Sequence, residues 1–374
     1  MTGRRFTVGI VGLQPGRSWA ARAHVPALRA LPHLFDIAGV ANTSLASAEA
    51  AASATGIPRA YANVAELVAA PEIDIVAVTV KVPHHLEIVE TAIRAGKHVY
   101  CEWPLGNGLA QAETLAELAH AKGVLGVVGT QARVAPEIVH LRRLIREGYA
   151  GEVLSSTIVA RGGLGGGILP LKSNAYLLDR RNGATMLTIP VGHSLAAIRD
   201  VLGDVEAVSS ITATRRPLVQ VLDSGETLPA NGPDQVLVNA LLAGGGPLSL
   251  HFRGGTERDG AGLLWEINGS RGDIRVTGTT GHMQMVRLTL HGARGKDRSF
   301  QPLAVPADDH GGWPDDVIPG NVARLYALMA DDLRNGTATA PSFADAVKLH
   351  RIIAAIEQAA ETGRRVAIAN ISPI

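Results

Sequence analysis

Cysteine is almost missing from this sequence: Cys101 is the only one among 374 residues. No intrachain disulfide can form, so nothing in the thiol content argues for export to an oxidising compartment. At the end of an apolar strand, Cys101 reads as a buried small hydrophobe rather than a nucleophile. Charge is also scarce, at 18% of residues, and the formal net charge is only +1. That leaves no global field to draw in nucleic acid or an anionic membrane. Neither a basic recognition helix nor a basic stripe is present, and no apolar run reaches the length of a membrane span. No Cys/His/carboxylate spacing suggests a metal. Adjacent His84 and His85 point in different directions at a helix start, so they do not chelate. Aromatic residues make up only 4%.

Hydrophobic residues, by contrast, make up 46%, and the length suits two domains with ample buried core. Phe6–Gly12 is a buried-type strand running straight into a glycine turn. With no small-residue cleavage site after it, it reads as a first strand rather than a signal peptide, and a cytoplasmic location is expected. Strands and helices then alternate. Phe35–Ala41 is followed by an Ala-rich helix over Leu45–Ala54, with Ser44 as its N-cap and Gly56 as its stop. Ile75–Val80, Leu86–Ala95 and His98–Cys101 form a strand–helix–strand unit. Leu109–Lys122 is an amphipathic helix stopped by Gly123, before a strand at Leu125–Gly129. Such alternation predicts a parallel sheet covered on both faces.

After residue 130 the pattern changes. A helix at Pro136–Glu147 and a strand at Glu152–Ala160 precede a glycine-dense loop, Gly162–Gly167. A long helix within Gly183–Gly203 carries His193. Strand-like runs follow at Val205–Thr214, Gln235–Ala243, Pro247–Arg253, Leu264–Asn268, Asp273–Val276 and Met283–Leu290, and two helices close the chain. Consecutive strands predict a large, mostly antiparallel open sheet. The expected fold is therefore α/β: residues 1–130 as a Rossmann-type dinucleotide domain and 131–374 as a substrate-binding and oligomerisation domain. The final helices are free to pack back on the first domain. An antiparallel sheet open on one face needs a cover, which favours a homodimer or homotetramer.

The turn after the first strand is Gly12-Leu13-Gln14-Pro15-Gly16-Arg17-Ser18. Dinucleotide folds use Gly-x-Gly-x-x-Gly here so that backbone N–H groups can approach a pyrophosphate. Gly12 fits, Gln14 replaces the second glycine, and the third is displaced to Gly16 or Ser18. The second strand ends in Asn42-Thr43-Ser44, where an acid would hold the ribose 2′-hydroxyl of NAD. With no carboxylate to repel a 2′-phosphate, the choice between NAD and NADP tilts slightly toward NADP. Asn42 could equally cap the strand.

Val80–His85, Ala95–Val99, Glu102-Trp103-Pro104-Leu105 and Pro341–His350 together resemble the glucose–fructose oxidoreductase/inositol dehydrogenase family. Gly12-Leu13-Gln14, Ser18-Trp19-Ala20, His24–Ala27, Gly148–Gly151, Asn182-Gly183 and Gly192-His193 are most similar to its branch containing the fungal galactose-pathway repressor. The resemblance implies a substrate lying between the two domains. It implies cofactor contacts at Gly12, Gln14, Ser18, Trp19, Asn42, Thr43, Ser44, Val80, Val82, His85, Glu102 and Gln131. The family motif is Glu-Lys-Pro, its lysine beside the nicotinamide; here that position is Trp103, and an indole N–H cannot act as a general acid or base. Trp103 could instead stack on a substrate. The family's active-site histidine corresponds to His193, whose ordinary pKa near neutrality suits a proton relay; the Asp usual four residues earlier is Ile189. Lys172 and Lys81 are the other candidate proton carriers, and Tyr176 and Asp179 are candidate polyol contacts. Two functions follow as expectations. One is an NAD(P)-dependent oxidoreductase acting on a sugar, cyclitol or related polyhydroxylated compound. The other is a cofactor-binding regulator without turnover.

Overall fold

The computed structural model describes residues 4–162, 166–255 and 260–371. Residues 163–165 of the glycine-dense loop lie outside the described residues. Six strands make the first sheet: β1 Phe6–Val11, β2 Phe35–Ala41, β3 Arg59–Tyr61, β4 Ile75–Val78, β5 His98–Glu102 and β6 Gly126–Gly129. All neighbours pair in parallel, in the order β3-β2-β1-β4-β5-β6. This is the doubly wound order of dinucleotide-binding folds, whose strand order reverses between β1 and β4. The strands read as unbroken apolar runs because both faces are covered: every residue of β4 and β6 is buried.

The connecting helices are α1 Val25–Arg29, α2 Leu45–Thr55, α3 Val64–Ala69, α4 His85–Arg94 and α5 Leu109–Lys122. Ser44 caps α2, and Gly56 and Gly123 end α2 and α5 in the left-handed conformation. Trp19–Ala30, which the sequence suggests as one helical run, is not a single α-helix. A π turn, Ala20–His24, precedes α1, and Pro26 stands in its first turn.

The chain divides into two compact units, residues 1–131 with 312–348, and residues 132–311 with 349–374. Residues 312–348 thus group with the first unit. Beyond α6 Pro136–Arg146, α7 Gly192–Leu202 and the short α8 Ala307–His310, helix α9 Val317–Asn335 packs on the π turn, on α1 and on β6. Phe343, at the start of α10 Phe343–Thr362, lies over Gly126, where a Cβ would meet its ring at 2.6 Å.

The second unit holds a nine-stranded sheet built from β7 Val153–Arg161, β9 Val205–Ala213, β12 Gln235–Leu242, β13 Pro247–Arg253, β14 Leu263–Gly269, β15 Gly272–Gly278, β16 Thr289–Arg294, β17 Gln301–Pro302 and β18 Val366–Ala367. Its order is β17-β16-β15-β14-β7-β13-β12-β9-β18, antiparallel except for β13 against β7. Alternation sends Val236, Leu250, Ile158, Trp265 and Val276 to the buried face. A smaller sheet joins β8 Ile168–Leu169, β10 Leu218–Val221 and β11 Thr227–Pro229, strands too short for the sequence pattern to reveal.

Two other expectations are corrected. Met283–Leu290 is not one strand: Met283–Met285 is a 3-10 turn and β16 begins at Thr289. Consecutive Met283 and Gln284 are both buried, which a strand with one open face cannot achieve. The helix carrying His193 opens as a π turn at Leu187–Val191, because Pro190 has no N–H to continue an α ladder, and becomes α-helical at Gly192.

Candidate functional site

β1 ends at the switch point of the first sheet, and Gly12 follows it with φ +99°. A Cβ there would lie 2.7 Å from Val80 Cγ1, so glycine is required on both conformational and steric grounds. The turn then closes on itself. Arg17 and Ser18 N–H donate to Gln14 O, and Ser18 Oγ accepts from the N–H groups of Gln14 (2.9 Å) and Ala21 (3.2 Å). Asn42 grips the turn from the neighbouring strand. Its Oδ1 accepts from Leu13 N at 3.0 Å and its Nδ2 donates to Leu13 O at 2.8 Å. Ser44 Oγ is taken up by Ser47 N as the cap of α2. Asn42, Ser18 and Ser44 therefore shape the cradle with the side-chain atoms expected to face a nucleotide. Gln14 and Thr43 remain exposed.

At β4, Thr79 Oγ1 donates to Val11 O, tying the two central strands together. Val82 is buried and Lys81 is exposed. Buried His85 spans two loops, with Nε2 3.0 Å from Val80 O and Nδ1 2.8 Å from Pro104 O. Burial pushes its pKa down although both carbonyls favour the charged ring. His85 thus ties the loop after β4 to the loop after β5. Cys101 is buried and burial pushes its thiol up, as an inert core residue requires. Trp103 is 5% exposed and joined to Pro104 by a cis peptide.

Glu102 lies in a buried polar network. Gln131 Nε2 donates to both its carboxylate oxygens, at 2.9 and 2.8 Å, and His24 Nε2 stands 2.8 Å from Oε1. His24 Nδ1 meets the Tyr326 hydroxyl at 2.8 Å, and Tyr326 stacks on Tyr100 with centroids 4.7 Å apart. Gln131 Oε1, Thr130 Oγ1 and Trp19 Nε1 are buried without a hydrogen-bond partner among the described residues. His24 and Tyr326 are absent from the candidates that the sequence suggests. His24 lies in a run quoted above, but nothing in one sequence ties Tyr326 to it across 302 residues.

In the second unit, His193 is 3% exposed and its Nδ1 has no hydrogen-bond partner among the described residues. Its pKa is not near neutrality: burial, helped by His282, pushes it down to about 3. The imidazole is therefore a neutral hydrogen-bonding group at pH 7. Lys172 is exposed and pairs with Glu226 at 2.7 Å. Asp179 caps the 3-10 turn Arg180–Asn182, and Arg181 holds its carboxyl well below the usual range. Tyr176 is half-buried, and its backbone oxygen accepts from Asn182 Nδ2. Asp179 thus anchors its own loop, and Lys172 is already committed to a carboxylate. Among the described residues no group of His, Cys, Asp and Glu could hold a metal ion, and no helix is long and apolar enough to cross a membrane.

Residues 6–130 match the model of an oxidoreductase family with an NAD-binding Rossmann fold, and residues 136–278 match that of the C-terminal domain of Gal80p. Dehydrogenase aclE of Aspergillus oryzae is 31% identical over 285 residues, 74% of this chain and 77% of that protein. The chain belongs to the glucose–fructose oxidoreductase/inositol dehydrogenase family. Another member of similar length, the galactose/lactose metabolism regulatory protein GAL80 of Saccharomyces cerevisiae, is 27% identical over 417 residues, covering 98% of this chain and 95% of that one. The crystal structure of a super-repressor mutant of Gal80p from the same yeast superposes with a TM-score of 0.88 at 25% identity, covering 99% of this chain and all of that one. The family thus brings together dehydrogenases and regulators. Its nicotinamide dinucleotide suits what the first unit offers: a turn stripped of Cβ at Gly12, and a buried indole N–H and amide oxygen awaiting partners.

Proposed function

We propose that this chain binds NAD(P) on its first unit and transfers a hydride between the nicotinamide and a sugar, cyclitol or related polyhydroxylated compound. The observation carrying this reading is the Gly12 turn at the switch point of a 3-2-1-4-5-6 parallel sheet. The Gly12–Ser18 turn would lie against the pyrophosphate through close backbone approach at Gly12, the N–H groups of Leu13, Gln14, Arg17 and Ser18 being already engaged within the protein. The end of β2 would take the adenosine ribose. Thr43 is exposed and no acid stands there, which favours NADP over NAD. When bound, the dinucleotide supplies or accepts the hydride.

Trp103 offers an apolar face and no ionisable proton, so proton movement falls to other groups. A neutral His193 accepts or donates a hydrogen bond to a substrate hydroxyl. Its low pKa makes it a positioning and relay group rather than a stored acid. Lys172 is the second choice and must leave Glu226 to act. Mixing purified protein with NADP or NAD and a panel of polyols, and following the absorbance of the reduced nicotinamide, tests the reading. Turnover should appear on at least one polyol and fall on the order of a hundredfold or more in His193→Ala.

A second reading, a cofactor-binding regulator without turnover, is favoured by one observation. Trp103 stands in place of the usual lysine in a chain that matches a regulatory protein over nearly its whole length. Tight cofactor binding with no turnover on any polyol would select it. In either case we assign the open face of the nine-stranded sheet to a second copy of this chain. Register aligns Ile211, Leu237, His251, Val159 and Leu264 in one row across five strands, and Ile211, Leu237 and Leu264 are exposed.

A further inference from the structure

We propose that Gln131 recognises the 3-carboxamide of the nicotinamide ring, and that Tyr326, His24 and Glu102 act as positioning residues that fix the direction of its carbonyl. The inference rests on the nucleotide-binding reading above. In a doubly wound sheet each half takes one mononucleotide. The adenosine ribose belongs at the end of β2, so the nicotinamide half falls at the ends of β4, β5 and β6. Gln131 is the second residue beyond β6.

The orientation of the Gln131 amide follows from its partner. Its nitrogen lies 2.9 and 2.8 Å from the two oxygens of Glu102. A carboxylate only accepts, so flipping the amide would set oxygen against oxygen. Oε1 is therefore forced away from Glu102. Gln131 is 1% exposed, and that oxygen has no hydrogen-bond partner among the described residues.

The carboxylate cannot move to relax this. With its proton on Nε2, His24 donates to Glu102 and accepts from the Tyr326 hydroxyl at Nδ1. Tyr326 is fixed by stacking on Tyr100. A Cβ on Gly129 would lie 2.8 Å from both carboxylate oxygens, so glycine there admits the carboxylate. The result is a rigid, buried acceptor that calls for an N–H donor. The carboxamide of nicotinamide has an NH2 group. A 3-acetylpyridine ring keeps the carbonyl and lacks the donor.

The full chain should be titrated with NADP, NAD and their 3-acetylpyridine analogues, followed by tryptophan fluorescence and calorimetry. The wild type should bind the carboxamide forms about tenfold more tightly, the size of one buried hydrogen bond. Gln131→Leu should bring the ratio close to one. Glu102→Gln should do so too, because a neutral amide partner lets Gln131 turn over. A purely structural role for Glu102 would instead weaken both forms equally and leave the ratio unchanged. If Gln131→Leu does not fold, Gln131→Met reads the same ratio. A wild-type ratio near one, or a ratio unaffected by replacing Gln131, overturns the inference while nucleotide binding stands. Failure of every dinucleotide to bind overturns the nucleotide reading and this inference with it.

Discussion

Gly12 concentrates the most consequence in one side chain. Its φ of +99° and the 2.7 Å approach of Val80 Cγ1 leave no room for a Cβ. Gly12→Val should cost about 1–3 kcal/mol of stability from backbone strain, read as a lower urea midpoint, and should abolish nucleotide binding. A variant with wild-type stability and affinity would mean the turn tolerates a side chain and is not the cradle described. The need for glycine here was legible in the sequence, since strand, glycine and helix follow one another directly. The jobs of Asn42 and Ser18 were not. A single sequence cannot distinguish an amide that faces a ligand from one that clamps Leu13, because both need the same residue at the same place. His193 was legible as a residue of interest, but its titration was not: burial moves the pKa, and burial is a property of the packed chain.

Among the elements, β7 and β14 are joined inside the core by Trp265 Nε1 donating to Ser156 Oγ at 2.8 Å. Both residues are buried. Ser156→Ala should strand the indole N–H and cost about 1–3 kcal/mol, whereas a loss below about 0.5 kcal/mol would show that another acceptor replaces it. Helices α7 and α10 each bury a histidine, and burial lowers the pKa of His193 to about 3 and of His350 to about 4. The unfolded chain takes up both protons near pH 6.5, while the folded chain refuses them until those lower values. The unfolded state therefore binds more protons between about pH 6.5 and about pH 4, and stability falls as pH falls through that window. Urea midpoints at pH 7 and pH 5 should show this fall, and His350→Gln should flatten it. An identical slope in the variant would remove His350 from the account. Strands and helices with long apolar periodicity were readable in advance. β8, β10, β11 and the 3-10 turn at Met283–Met285 were not, because tertiary packing rather than local pattern holds such short pieces.

For the molecule as a whole, α/β class follows from alternation, but strand order does not; the sequence left the final helices free to pack back, without showing that residues 312–348 are the part that joins the first unit. That return delivers Tyr326 to His24 and so completes a network that no local window contains. The row running from Ile211 to Leu264 predicts self-association. Ile211→Glu combined with Leu237→Glu should convert a dimer or larger assembly to monomer in sedimentation, and an unchanged assembly would place the contact elsewhere. The central claim is that the first unit holds a nicotinamide dinucleotide. Calorimetric titration of the wild-type chain with NADP and with NAD tests it most directly. The account predicts saturable binding at one site per chain, tighter for NADP; no measurable heat or fluorescence change with either, in oxidised or reduced form, would contradict it.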